Sequence, residues 1–423
     1  MPSVLTFLLQ VAAIVLLARF VGALFQRLGQ PQVLGEMVAG ILLGPSFLGW
    51  VAPAVSAALF PEGSVGYLQT LSQVGLLLFM FLVGLEFNPV YLRNQGHAAI
   101  LTSHASITAP FLLGCLLAVF LYPQLSDDTV PFREFALFIG VAMSVTAFPV
   151  LARILSERDL FKTQLGSMVV ACAAIDDVTA WCILAYIVAL VRAPGHAMPL
   201  SMTLLLLTAF IVLMVTVGHR LLKRLEHNFQ RRGVLTDDAM AVILLLLLGS
   251  ATLTEFLGVH LLFGAFLFGA VLPKDPAFVH KVAERVQSVT LVLLLPIFFA
   301  FTGLRTSIGL VRGFEMWLYC ALIILVAVAG KLGGSAIAAR VAGLSWRDAI
   351  SVGIFMNTRG LMELVVLNIG LDLGVISPAV FSMMVLMAIG TTVMTTPLFE
   401  WVSGMKPPAR RPLSAAQTAA SLQ

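Results

Sequence analysis

Apolar runs long enough to cross a bilayer recur from one end of this 423-residue chain to the other. Pro, Gly and charged residues cut the runs apart, which predicts a series of membrane helices. Thirteen crossings are expected, at 4–26, 32–49, 66–87, 98–122, 135–155, 164–191, 199–221, 237–257, 259–273, 286–304, 314–340, 347–371 and 377–402. The ninth is short, and separating it from the eighth depends on a tight turn around Gly258.

Composition supports the same class. Hydrophobic residues make up 60% of the chain and charged residues 11%, with mean hydropathy +1.01. A soluble domain carries about 25% charged residues, so the fold class is an all-α polytopic membrane protein. Residues 1–28 have neither a basic start nor a small-residue cleavage site, and read as a retained first helix. Cys115, Cys172, Cys182 and Cys320 lie in apolar segments without CxxC spacing and read as packed thiols. No GxGxxG fingerprint occurs, so no nucleotide-binding domain is expected. Nothing points to an enzyme, a resident cofactor or a nucleic-acid partner.

Charge sets the expected orientation. With the N-terminus outside, eighteen Lys and Arg fall on the inner connections and four on the outer ones. The inner set includes Arg93, Arg153, Lys162, Arg220, Lys274 and Lys406, and the outer set is Arg133, Arg192, Arg305 and Arg312. A bacterial inner-membrane protein with its C-terminus in the cytoplasm is the reading. Residues 404–423, rich in Pro, Ala and Ser, are expected to be a disordered cytoplasmic tail.

Three short stretches repeat at an offset of seven crossings. Leu78-Phe-Met-Phe-Leu-Val-Gly84-Leu-Glu86 matches Ile297-Phe-Phe-Ala-Phe-Thr-Gly303-Leu-Arg305, and Gly35 to Gly40 matches Gly264 to Gly269. Gly140-Val-Ala-Met-Ser144 matches Gly353-Ile-Phe-Met-Asn357. An odd offset inserts the halves in opposite directions, the inverted repeat of secondary transporters. The expected division is repeat one over 1–192, a linker helix at 199–221 and repeat two over 237–403, all within a transmembrane domain of residues 1–403.

The chemistry concentrates in a few intramembrane polar residues. Asp176 and Asp177 sit side by side in crossing six, where one ionised group costs roughly 2.5–3.5 kcal/mol on insertion scales. Adjacent helical residues point about 100° apart, so the two carboxylates serve different partners. A helix-end pair in water is the bland alternative, and the apolar residues on both sides oppose it. Lys331 in crossing eleven needs an intramembrane carboxylate to keep its charge, unless it snorkels to the surface. Ser144, Thr146 and Pro149 in crossing five mirror Asn357, Thr358, Arg359 and Gly360 in crossing twelve. Both read as broken helices whose carbonyls and half-helix ends can hold a cation, with Glu363 placed to pair Arg359 at i+4. Glu36 and Glu86 fall near helix ends and read as interfacial, and His260 opens crossing nine.

At these residues the chain resembles the monovalent cation:proton antiporter family of the sodium/hydrogen exchanger superfamily, in the branch with Kef-type potassium systems and plant CHX exchangers. The likeness is carried by Leu34-Gly-Glu-Met-Val-Ala-Gly-Ile-Leu-Leu-Gly-Pro-Ser46, Ser144-Val-Thr-Ala-Phe-Pro-Val-Leu-Ala-Arg-Ile-Leu155 and Asp176-Asp-Val-Thr-Ala-Trp181. Leu262-Phe-Gly-Ala-Phe266, Gly330-Lys-Leu-Gly-Gly334 and Met356-Asn-Thr-Arg-Gly-Leu-Met-Glu-Leu364 extend it over nearly all of the membrane region. The resemblance implies a core domain with two crossed broken helices moving against a dimerisation domain in a homodimer. It also implies that Asp177 is the cation and proton site and that Asp176 is the partner of Lys331. The nucleotide-binding domain of Kef systems and the long tail of plant exchangers are absent from this sequence.

The expected activity is therefore exchange of Na+ or K+ for protons in the service of pH homeostasis. Alternating access to Asp177 would couple the two ions, with Asp176, Ser144, Thr146, Asn357 and Thr358 near the ion and Lys331, Arg359 and Glu363 balancing charge. A passive channel needs a filter-like run of carbonyls or an acidic ring, and neither is visible. A protease built on two aspartates would draw them from separate helices. A non-transporting sensor would have no use for both broken helices.

Overall fold

The computed structural model describes residues 4–87, 97–126, 130–158, 160, 163–192 and 199–404, and among them there are helices and no strand. The expected tail beyond Gly404, and Arg93, Lys162, Lys406, Arg410 and Arg411, lie outside the described residues. The helices of ten residues or more are α1 (Val4–Arg27), α2 (Gln32–Leu43), α3 (Val65–Glu86), α4 (His97–Leu125), α5 (Phe132–Ser144), α6 (Phe148–Glu157), α7 (Gln164–Arg192) and α8 (Ser201–Arg232). There follow α9 (Asp237–Phe256), α10 (Leu261–Val271), α11 (Pro276–Val289), α12 (Leu295–Arg305), α13 (Gly313–Val341), α14 (Trp346–Met356), α15 (Leu361–Asp372) and α16 (Pro378–Ser403).

Ten helical segments are long and apolar enough to cross a membrane, or eleven if the bent pair α14 and α15 counts as one crossing. The expected thirteen also required the eleven-residue α10 and the split α5 and α6. The turn at Gly258 is present, with φ +79° between α9 and α10. Two helices run past the expected crossings. The helix of the seventh continues beyond 221, because the basic run to Arg232 stays helical and ends at Gly233 in the left-handed conformation. A helix from Pro276 leads into the tenth, and Asp275 caps the Phe278 N–H there at 2.9 Å.

Two groups of helices form. A scaffold group contains α1, α2, α3, α9, α10, α11 and α12, and a core group contains α4 to α7 and α13 to α16. The repeated glycines lie where scaffold helices touch. A Cβ on Gly84 would come within 2.1 Å of the Phe266 carbonyl oxygen, and one on Gly269 within 2.3 Å of the Phe81 oxygen, so α3 and α10 meet backbone to backbone. At the matching place, Gly303 of α12 meets Gly40 of α2, its Cβ position 2.0 Å from that carbonyl. The third repeated pair behaves alike: Gly140 abuts Phe111 and Cys115 of α4, and Gly353 abuts Leu332 and Ala336 of α13. Between helices that gain little from burial in lipid, such close approach is the main attraction.

The core group holds both breaks. Helix α5 stops at Ser144 and α6 starts at Phe148, while α14 stops at Met356 and α15 starts at Leu361 with a bend of 44°. The breaks cross: the Ala147 N–H donates to the Thr358 carbonyl at 3.0 Å. Gly360 has φ +149° and ψ −127°, a backbone conformation essentially confined to glycine.

Candidate functional site

Helix α7 carries Asp176 and Asp177 near its middle, and both are buried. Asp176 is fully engaged. Its Oδ1 accepts from Ser103 Oγ at 2.6 Å, and its Oδ2 accepts from Ser106 Oγ, from Thr146 Oγ1 at 2.9 Å and from Lys331 Nζ at 3.0 Å. Asp176 and Lys331 are both wholly excluded from solvent, so the pair is held by geometry and by these extra donors. The Lys331 ammonium donates a second bond to the Ser144 carbonyl, the last residue of α5.

Arg359 works at the same helix end. Its Nη1 donates to the Ala142 carbonyl at 3.2 Å and its Nη2 to the Met143 carbonyl at 2.6 Å. Two cations thus sit on the C-terminal carbonyls of α5, where the helix dipole favours positive charge. Arg359 Nη1 also pairs with Glu363 Oε2 at 3.0 Å, and Glu363 lies in the first turn of α15, where the dipole favours negative charge. The breaks therefore carry their own counter-charges.

Asp177 stands apart from this network. It lines a small cavity with Val83, Glu86, Phe87, Phe148, Ala174 and Phe266. Its buried Oδ1 makes no hydrogen bond among the described residues. The divergence of adjacent helical side chains is realised: one carboxylate braces the core, and its neighbour faces the boundary with the scaffold.

The expected site residues therefore divide. Asp176, Lys331, Thr146 and the Ser144 carbonyl come together, while the Ser144 hydroxyl turns back to Gly140 and Ile107 carbonyls. Thr358 Oγ1 lies 3.3 Å from Thr395 Oγ1, and Asn357 Nδ2 approaches Met394 Sδ at 3.8 Å. Asn357 Oδ1, like Asp177 Oδ1, is buried without a bond among the described residues. Two further residues belong here that sequence reasoning passed over, and a third, Glu86, was read only as interfacial. Ser103 and Ser106 are a polar pair at i, i+3 in α4, a spacing that places them on one face. Glu86, expected at the interface, reaches the Asp177 cavity because α3 ends against α10. Among the described residues, no three His, Cys, Asp or Glu side chains group as a metal site.

Two crossed broken helices, a buried Asp–Lys pair and, beside them, a buried carboxylate with one oxygen unbonded among the described residues define an ion-transporter class of fold and site. Residues 13–401 match the family described as Sodium/hydrogen exchanger, transmembrane, and the chain belongs to that family. It is 45% identical over 399 residues to the Na(+)/H(+) antiporter NhaS4 of Synechocystis sp., covering 94% of this chain and 97% of that one. Cation/H(+) antiporter 20 of Arabidopsis thaliana is 39% identical over 92% of this chain, and K(+)/H(+) antiporter 1 of Saccharomyces cerevisiae is 34% identical over 94%. This chain spans 47% and 46% of the length of those two. The fold is also that of the sodium proton antiporter MjNhaP1 from Methanocaldococcus jannaschii, with TM-score 0.62 at 16% identity over 93% of this chain and 95% of that one.

Proposed function

We propose that this protein is a secondary transporter, not an enzyme, that exchanges a monovalent cation, Na+ or K+, for protons by alternating access at Asp177. The observation that carries the reading is the unequal use of two adjacent carboxylates. Asp176 is saturated by Lys331 and three hydroxyls, whereas Asp177 keeps a buried oxygen without a partner among the described residues. A water-poor carboxylate can hold a proton or a cation but not both, so moving it between the two faces couples the two fluxes. Glu86 adds a second carboxylate to the same cavity and concentrates cations there. The names of the relatives, Na+/H+ and K+/H+ antiporters, favour the same activity without choosing the ion.

The rest of the reading follows the charge pattern and the resemblance. The protein lies in a bacterial inner membrane, N-terminus out, with thirteen crossings divided as residues 1–192, 199–221 and 237–403. It works as a homodimer through the scaffold group. The test is proton-coupled flux in proteoliposomes with Na+, K+, Li+ and Rb+ in turn. Asp177→Asn is expected to abolish cation-driven proton movement. Flux at the wild-type rate in that variant would remove Asp177 from the mechanism.

A further inference from the structure

The cavity at Asp177 reaches exposed Glu86 and half-buried Phe87, at the end of the scaffold where Lys274 binds the carbonyls of Gly84, Leu85 and Gly269. The way to the other face is blocked in two layers. One turn beyond Asp177, Trp181 of the core stacks on Phe266 of the scaffold, with ring centroids 6.5 Å apart and planes at 20°. At the end of α7, about 22 Å along the helix from Asp177, Arg192 Nη1 pairs with Glu255 Oε1 of α9 at 2.8 Å.

A second pair lies beside the first. Arg305, the last residue of α12, binds Asp372 Oδ1, the last residue of α15, at 2.7 Å through Nη2. Its Nη1 donates to Asn368 Oδ1 at 3.1 Å, and Asn368 Nδ2 donates back across the boundary to Thr302 Oγ1 at 2.9 Å. Both pairs lie away from the Asp177 opening. Helix α10 starts at Leu261, whose N–H donates to Glu255 Oε2 at 2.9 Å, and runs about 16 Å to the Lys274 end. Helix α12 runs antiparallel to α3, with Leu294 against Gly75 and Ile297 in the Leu68 cluster, which carries Arg305 away from Glu86. His260, at the start of α10, feels the charges of Glu255, Arg192 and Asp372, which makes the two pairs neighbours.

These are the ion pairs that join core to scaffold among the described residues, and both are on one face. We propose that Arg192–Glu255 and Arg305–Asp372 form a paired latch that holds this face shut while the Asp177 cavity opens to the other, and that must part before the site can turn outward. Each pair takes its arginine and its carboxylate from opposite groups, and in opposite order: core arginine with scaffold glutamate, then scaffold arginine with core aspartate. The side chains are one-fifth to two-fifths exposed, 21% and 42% in the first pair and 20% and 37% in the second. Bonds so placed hold a closed state without locking it. The inference rests on the exchanger reading for its place in a cycle, but the latch has its own test.

Ala185 of α7 is buried and lies about two turns beyond Asp177 and one turn beyond Trp181, between the cavity and the latch. In a chain whose four native cysteines are replaced, an Ala185→Cys probe is labelled with a membrane-impermeant maleimide from the latch face. Adding Glu255→Gln and Asp372→Asn is expected to speed labelling about tenfold, which corresponds to about 1.4 kcal/mol shared by two half-exposed pairs. Glu400→Gln, which breaks an ion pair internal to the core (Arg158–Glu400), should leave the labelling rate unchanged. Equal labelling with and without the latch carboxylates overturns the proposal, as does equal acceleration by Glu400→Gln, which would mean general loosening. Labelling needs no ion flux, so a wild-type protein that fails to exchange ions overturns the exchanger reading while labelling still decides the latch.

Discussion

The Ala147 N–H and the Thr358 carbonyl meet at 3.0 Å, a backbone bond at the point where the two broken helices cross. Around it, Lys331 and Arg359 bind the carbonyls of Ala142, Met143 and Ser144, so three successive helix-end acceptors are filled by two buried cations. Asp176 then answers Lys331, and Glu363 answers Arg359.

The two adjacent aspartates should separate on stability. Asp176→Asn leaves the Lys331 charge buried without its counter-ion and is expected to cost about 3–5 kcal/mol. Asp177→Asn removes no hydrogen bond to Oδ1 and should cost less than about 1 kcal/mol. Thermal unfolding of both variants in detergent checks this, and the reverse ranking would contradict the division of roles.

Glu86 is expected to affect cation capture more than turnover. Glu86→Gln removes one of two carboxylates from the cavity and should raise the apparent KM for the cation several-fold, with maximal rate near wild type. Cation titrations in everted vesicles separate the two parameters. An unchanged KM would return Glu86 to an interfacial role.

Close helix crossings should be intolerant of a single methyl. Gly303→Ala places a Cβ 2.0 Å from the Gly40 carbonyl carbon, and forced separation there should cost about 1–3 kcal/mol. Gly249, with nothing within 4 Å of its Cβ position, is the control, and Gly249→Ala should be neutral or stabilising by about 0.5–1 kcal/mol. Melting temperatures of the two variants decide.

Lys274 supplies a pH dependence. Three carbonyls accept from its ammonium, at 3.0, 2.9 and 3.0 Å, while burial pulls its pKa from 10.5 down to about 7. Between those values the unfolded chain holds the proton and the folded protein has released it, so stability rises with pH across that window. The melting temperature of wild type minus that of Lys274→Met should therefore climb from about pH 7 towards pH 10. A flat difference would mean that the ammonium stays charged throughout.

Much of the site was legible in the residues. Charge inside an apolar run is costly enough that Asp176, Asp177, Lys331 and Arg359 drew attention wherever the helices lay. The expectation that Asp176 pairs with Lys331 came with the family resemblance, and Lys331 Nζ lies 3.0 Å from Asp176 Oδ2. Ser103 and Ser106 drew no attention, because hydroxyls are common in membrane helices and carry no cost that marks them. Glu86 does end its helix and is exposed, and it also lines the Asp177 cavity. Its distance from a helix end is a one-dimensional fact, whereas its access to Asp177 depends on how α3 crosses α10.

Hydropathy alone determined that this chain is a bundle of membrane helices, and the spacing of Gly and Phe gave the expectation that its halves match. Those properties are local, set by solvation and by period along one chain. Which oxygen of which aspartate is left without a bond among the described residues, and which arginines meet which carboxylates between the two helix groups, were decided by tertiary structure. The reason is that such contacts join residues as far apart as Asp176 and Lys331, or Arg192 and Glu255, whose meeting depends on where whole helices cross.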